Sequence, residues 1–278
     1  MREITFGQIA DEVAKLTKAC SSLTPSCKRA MGCALERERN ANAAFALEML
    51  AENARVAEAN GLPVCQDTGM SVVFVKLGQD VHITGGLLTD AVDEGVRRGY
   101  RDNGYRASVL DPVTRINTRD NTPAVMHVTL VDGDKMELTF LPKGFGSENM
   151  SRLYMLTPSA GMEGVKSCIL EAVRLAGSNP CPPMVIGVGI GGTAEKAMLL
   201  AKEQLLREVG APSEDSTLAE LEREMLSKIN ALGIGAQGFG GDTTAIGVHM
   251  AKYPTHISAL PVAINVQCNA VRLAHTVI

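Results

Sequence analysis

Residues 184–192, MVIGVGIGG, constrain what this chain can fold into more than any other segment. The run carries no polar side chain, alternates glycine with β-branched residues, and leads into a charged amphipathic stretch over 194–208. A short apolar run bounded by glycines fits a strand buried on both faces, and the stretch behind it fits a helix. A fully buried strand running straight into a helix predicts a layered α/β fold. Gly187, Gly189 and Gly192 also match the spacing of a dinucleotide fingerprint. A nucleotide-binding unit would need a parallel strand after that helix, ending in an acid about 20 residues on. Here a polar loop and another helix follow. The expectation is a close-packed strand-to-helix turn, with a dinucleotide-binding protein as the competing reading.

The remaining elements are read by the same periodicities. Thr5 and Gln8 stand in capping-box spacing ahead of Ile9, Val13, Leu16 and Cys20, which predicts a helix over 5–20. Residues 42–60 are rich in Ala, Glu, Leu and Met and stop at Gly61 and Pro63, as a helix does. A strand over 71–77 and a helix over 87–100 follow. Alternation over 124–130 and 136–140 about Asp132-Gly133 predicts a hairpin. A helix over 165–176 ends at Gly177. The segment GAPSEDS (210–216) is the best linker candidate, although it leads directly into a helix bearing Leu218, Leu221, Met225 and Ile229. Strands over 243–250 and 257–266 bracket a Tyr253-Pro254 turn. With no internal repeat or sharp change of composition, residues 1–278 read as a single domain, mainly helical over 1–60 and mixed α/β over 61–278.

Composition excludes whole classes of function. With 27 basic against 31 acidic residues and no basic block, the chain has nothing to neutralise a run of phosphates, and aromatics at 4% offer no base-stacking surface. No stretch approaches the roughly 20 apolar residues of a membrane span. The N-terminus places acids and Gln where a signal peptide keeps its apolar centre, so the expected location is cytoplasmic. Seven cysteines are an odd number in a chain large enough to stand without disulfides, which points to reduced thiols. Cys20 and Cys168 lie on apolar helical stripes and read as core. Cys27 and Cys33 have no metal-site spacing.

Cys65, Cys181 and Cys268 differ, since PVCQDTG, NPCPP and NVQCNA read as loops and none fits a helical stripe. They are too far apart for a zinc ribbon or a ferredoxin run. A fold that brought the three loops together would present three thiolates, enough to hold a four-iron, four-sulfur cluster and leave one iron open to substrate. Three unrelated loop cysteines remain the alternative.

The segments PVCQDTG, NTPAVMH, KGFGSENMSRLYMLTPSAG, NPCPPMVIGVGIGGTAEKA, LGIGAQGFGGDTTAIGVH and LPVAINVQCNAVR closely resemble the alpha subunit, or N-terminal half, of class I iron-sulfur fumarate hydratases. The two-subunit L-tartrate dehydratase shares the cysteine pattern. The segments KGFGSENMS and GGDTT rank fumarase ahead of it. The resemblance implies a cleft holding a 4Fe-4S cluster on Cys65, Cys181 and Cys268, with hydration of fumarate to L-malate as the reaction. Asp67 would be the acid beside the open iron, and Gln66 and Arg106 would bind substrate carboxylates, Arg101 and Arg115 being near enough to compete with Arg106. Gly144 and Gly146 would let backbone N–H groups approach an anion, against the plain alternative of a strand exit. His256, twelve residues before Cys268, would be an active-site histidine. The resemblance further implies a separate beta subunit carrying the base for the C3 proton. The rivals are dehydration of L-tartrate, hydration of a methyl-substituted fumarate, and a protein whose cluster senses oxygen or iron.

Overall fold

The computed structural model describes residues 1–278. The chain opens with β1 (Arg2–Thr5), α1 (Phe6–Ala19), α2 (Pro25–Arg37) and α3 (Ala41–Ala59). It continues with β2 (Met70–Gly78), β3 (Val81–Thr84), α4 (Leu88–Asp102), β4 (Val125–Val131), β5 (Met136–Lys143) and the short α5 (Phe145–Glu148). Next come β6 (Arg152–Leu156), α6 (Gly161–Ala176), β7 (Met184–Gly191), α7 (Ala194–Glu203) and α8 (Ser216–Asn230). The last strands are β8 (Ala245–Tyr253), β9 (Leu260–Gln267) and β10 (Ala274–Val277). The class is mixed α/β, as expected. No helix is long and apolar enough to cross a membrane.

The chain divides into two compact units, one comprising 1–23, 54–145 and 272–278, the other 24–53 and 146–271. In the first unit the expected capping box starts α1, with Thr5 Oγ1 accepting from the Gln8 N–H and Gln8 Oε1 accepting from the Thr5 N–H. The stripe behind it, Ile9, Val13 and Leu16, packs with Val92 and Val96 of α4 and with Val73, Val75, Leu138 and Phe140 of the sheet.

That sheet runs β10-β5-β2-β4, so the expected hairpin does not form. β4 and β5 lie on opposite sides of β2, β4 parallel to it and β5 antiparallel. The physical reason is burial. Residues 71–75 of β2 are buried away from water, so the N–H and C=O groups on both its edges need a strand to pair with, whereas β4 is largely exposed and can leave one edge to water. The Asp132-Gly133 turn is local chemistry that serves a wide connection equally well.

The second unit repeats this order of events around β7. Its sheet runs β6-β9-β7-β8, with β8 parallel and β9 antiparallel to the central strand. β8 and β9 therefore do not pair across the Tyr253-Pro254 turn. Ile186, Val188, Ile264 and Val266 pack with Val165, Ile169 and Val173 of α6 and with Leu218, Leu221, Met225 and Ile229 of α8. The fingerprint glycines belong to this packing: a Cβ on Gly187 would lie 2.0 Å from the Ala201 carbonyl oxygen, and one on Gly189 2.1 Å from that of Ala197. α7 sits on β7 at a distance only glycine permits. The GAPSEDS segment lies inside this unit, where Asp215 caps α8 through the N–H groups of Thr217 and Leu218. It is a helix lead-in, not a linker.

Candidate active site

None of the seven cysteines is in a disulfide, and their surroundings divide them. Cys20, Cys27 and Cys168 are buried. Burial pushes the Cys20 thiol up to about 12 and the Cys27 thiol up to about 11, so both stay protonated near neutrality. Cys65 and Cys268 are half-buried, while Cys181 and Cys33 are exposed, the last on α2.

In the first unit, Cys65 follows a chain held by the Val64 N–H on the Ser21 carbonyl, and its thiol donates to Gln66 Oε1 at 3.7 Å. The next acid, Asp67, is held at both carboxylate oxygens and at its carbonyl. Its Oδ1 accepts from the Gly69 N–H at 3.0 Å and its Oδ2 from the Phe145 N–H at 3.1 Å, while its carbonyl accepts from Arg272 Nη2 at 2.9 Å. Gly144 faces the same carboxylate, since a Cβ there would lie 3.2 Å from Asp67 Oδ2. One N–H of the loop, that of Phe145, thus points at Asp67. Arg106 is exposed and tied to this turn through its main chain, whose carbonyl accepts from Thr68 Oγ1 at 2.8 Å. Arg101 pairs instead with Asp102, and Arg115 sits in an exposed turn with φ 62°.

In the second unit, Cys181 and Cys268 share one end of the sheet, where β7 begins and β9 ends. Cys181 adopts φ 53°, a left-handed conformation that costs a residue with a Cβ about 1 kcal/mol or more. Asn269 holds it there: its N–H and Nδ2 both donate to the Cys181 carbonyl, at 3.2 and 2.7 Å. Gln237 adds two bonds to the next carbonyl, of Pro182, at 2.9 and 2.7 Å. Asn269 in turn accepts from the Cys27 thiol at 3.2 Å, so the buried cysteine anchors the loop of an accessible one. Gly146 abuts the same region, with a Cβ there 3.3 Å from the Asn179 carbonyl oxygen.

His256 is not brought to this end. It lies between β8 and β9, its Nδ1 accepting from the Ser258 N–H, and the whole of β9, an extended strand about 23 Å long, runs between it and Cys268. Sequence reading passed over Arg272, Tyr100, Asn121 and Asn269, which hold the two cysteine-bearing turns. The one visible signal was the presence of Asn121, Asn269 and Arg272 in NTPAVMH and NVQCNAVR.

No set of three or more His, Cys, Asp and Glu groups stands at metal-holding distance in the structure. The donor chemistry nonetheless fits an iron-sulfur cluster, because accessible thiols on backbone-clamped loops are what such a cluster takes up, whereas buried thiols near 11 and 12 do not ionise for it.

Comparison with known proteins agrees. The family described as fumarate hydratase (fumerase) matches residues 10–277. A chain of Methanocaldococcus jannaschii, provisionally named L(+)-tartrate dehydratase subunit alpha, is 40% identical over 274 residues, covering 96% of each chain. The L(+)-tartrate dehydratase subunit alpha of Escherichia coli strain UTI89 is 36% identical over 215 residues, covering 76% of this chain and 70% of that one. That of Shigella sonnei strain Ss046 is 35% identical over the same length and coverage. This chain therefore belongs to the class I iron-sulfur fumarate hydratase family, as a chain of its alpha-subunit type.

Proposed function

We propose that this chain is the alpha subunit of a two-subunit hydro-lyase that reversibly hydrates fumarate to L-malate, with Cys65, Cys181 and Cys268 holding a 4Fe-4S cluster. The observation that carries this reading is the division of the thiols: these three are exposed or half-buried and lie on loops, the exposed Cys33 lies on helix α2, and Cys20, Cys27 and Cys168 are packed away. When bound, the cluster supplies a Lewis-acidic iron for a substrate carboxylate and hydroxyl.

The chain's own residues supply the rest. Asp67, its carboxylate aimed by two N–H groups, takes a proton from the attacking water on one Oδ and returns it to the departing hydroxyl in the reverse direction. Gln66 offers an amide to the substrate. Arg106 brings an exposed guanidinium whose fork matches a planar carboxylate. Gly144 and Gly146 keep side-chain bulk out of the Asp67 and Cys181 surroundings. The base that removes the C3 proton comes from a beta subunit, the partner that the name "subunit alpha" implies for the relatives.

A second reading, dehydration of L-tartrate to oxaloacetate, is favoured by those same names. KGFGSENMS and GGDTT support fumarate. The test begins with iron and acid-labile sulfide per chain after anaerobic reconstitution, for wild type and for a Cys65→Ser, Cys181→Ser, Cys268→Ser triple variant. About four of each in the wild type and near none in the variant are expected; near zero in both removes the proposal. Parallel assays of fumarate, L-malate and L-tartrate with the beta subunit present then choose the substrate. Tartrate turnover without fumarate turnover selects the second reading.

A further inference from the structure

Arg272 lies four residues after Cys268 and is only 2% exposed. A guanidinium stays charged at any pH a protein meets, and a buried one normally finds a carboxylate. This one has none: its hydrogen bond goes from Nη2 to the Asp67 carbonyl at 2.9 Å, and its Nε is buried with no acceptor. The titratable groups around it, Cys20 capping the end of α1, Tyr100 of α4 and Tyr105, are neutral near pH 7, burial holding the Cys20 thiol and the Tyr100 phenol each at about 12. A cation placed so expensively, with a single acceptor, points to that acceptor as its purpose.

The same turn is gripped twice more. Tyr100 Oη donates to the Thr68 carbonyl at 2.8 Å and the Gly69 carbonyl at 2.9 Å, and Asn121 Nδ2 donates to the Gly69 carbonyl at 3.1 Å. Three consecutive carbonyls, of Asp67, Thr68 and Gly69, are thus held by buried side chains from three distant stretches of sequence. Because the Gly69 N–H is itself one of the two donors to the Asp67 carboxylate, fixing this backbone fixes the direction of the carboxylate.

We propose that Arg272 is a positioning residue for Asp67, its buried guanidinium anchoring the Asp67 peptide, with Tyr100 and Asn121 completing the anchor. The proposal rests on the reading of Asp67 as the proton-transferring acid. The test uses the cluster-loaded enzyme with its beta subunit, as wild type, Arg272→Met, Arg272→Lys and Tyr100→Phe. A displacement near 1 Å costs about 100-fold in rate, so Arg272→Met should lose kcat per cluster on that scale while KM and iron content stay near wild type. Arg272→Lys, which keeps charge and a donor, should recover part of the loss. Hydrogen exchange on the full-length chain without cluster should show faster exchange at 66–69 and 144–146 in Arg272→Met, with α6 and β7 unchanged. Wild-type kcat per cluster in Arg272→Met overturns the proposal, as does a rise in KM at constant kcat. Should Arg272→Met fail to fold, Tyr100→Phe lacks only a hydroxyl, and unchanged kcat per cluster there overturns it equally. If the wild type turns over neither fumarate, L-malate nor L-tartrate, the reading of Asp67 fails separately; the exchange experiment still decides the anchor, and unaltered exchange sinks it.

Discussion

A thiol can ligate iron only if it can ionise and be reached, and at the scale of single residues this sorts the cysteines before any cluster is considered. At pH 8 a thiol held at about 12 is thiolate in roughly one part in ten thousand. Iodoacetamide should therefore label Cys33, Cys65, Cys181 and Cys268 of the cluster-free chain well ahead of Cys20, Cys27 and Cys168, read by peptide mass spectrometry. Cluster assembly should then protect Cys65, Cys181 and Cys268 and leave Cys33 reactive; protection of Cys33, or undiminished labelling of Cys181, contradicts the assignment. For Asp67, the Asn variant keeps an oxygen for one N–H but cannot exchange a proton, so turnover should fall about 100- to 10,000-fold with iron content unchanged. The cysteine division was legible because a core cysteine betrays itself by an apolar stripe. Arg272 was not, since its partner Asp67 is 205 residues away and a buried cation leaves no local pattern. His256 looked close to Cys268 on the page because sequence spacing ignores that most of the interval is extended strand.

At the scale of elements, α1, α3, α4, α6, α7 and α8 were readable nearly to their ends, because caps and stripes are local, whereas α2 and the short α5 were not read as separate helices. The Thr5–Gln8 box and the buried face of α8 both formed where the pattern put them. The six longer strands were equally readable, whereas β1, β3, β6 and β10, of four or five residues each, were too short to show a period, and strand partners were not readable at all. Alternation and a turn signal made β4 and β5 neighbours, whereas β2, arriving from some fifty residues earlier, lies between them and takes bonds from both. Pairing follows the demand of the most apolar strand for two neighbours, and that demand is set by the whole sheet. The same demand makes β7 sensitive to bulk. Gly189→Ala puts a methyl 2.1 Å from the Ala197 carbonyl oxygen, a backbone atom that cannot swing aside. α7 must lift off the sheet, at a cost of about 3 kcal/mol or more. A urea titration should show that loss; a midpoint within experimental error of wild type would mean that α7 does not sit against β7 as described.

At the scale of the whole molecule, stability depends on pH through groups whose protonation changes on folding, and the second unit contains one in a defined state. His249 of β8 is 1% exposed, and because Gln204 presents a carbonyl oxygen 3.1 Å away, Nδ1 must carry the proton. Nε2 is then a buried nitrogen with no partner in the structure. Burial, and next the Arg207 charge, hold this imidazole below its ordinary value of 6.5, outweighing the Gln204 carbonyl and the Glu222 carboxylate that favour protonation. Arg207 is already committed to Glu222, which also accepts from the N–H groups of Ser213 and Met250, so no acid is spare to balance an imidazolium. Above the unfolded value both folded and unfolded chains keep the ring neutral, and it contributes nothing to the pH dependence. As pH falls below about 6.5 the unfolded chain binds a proton that the folded chain refuses, and stability is lost until the depressed folded value is passed. His249→Gln keeps a donor for the Gln204 carbonyl and removes the titration. It should start from somewhat lower stability at pH 7.5 but decline less steeply toward pH 5.5, with urea midpoints measured at both values for each protein. Parallel declines would show that the imidazole titrates alike in both states, and that β8 opens far enough to let it take up its proton.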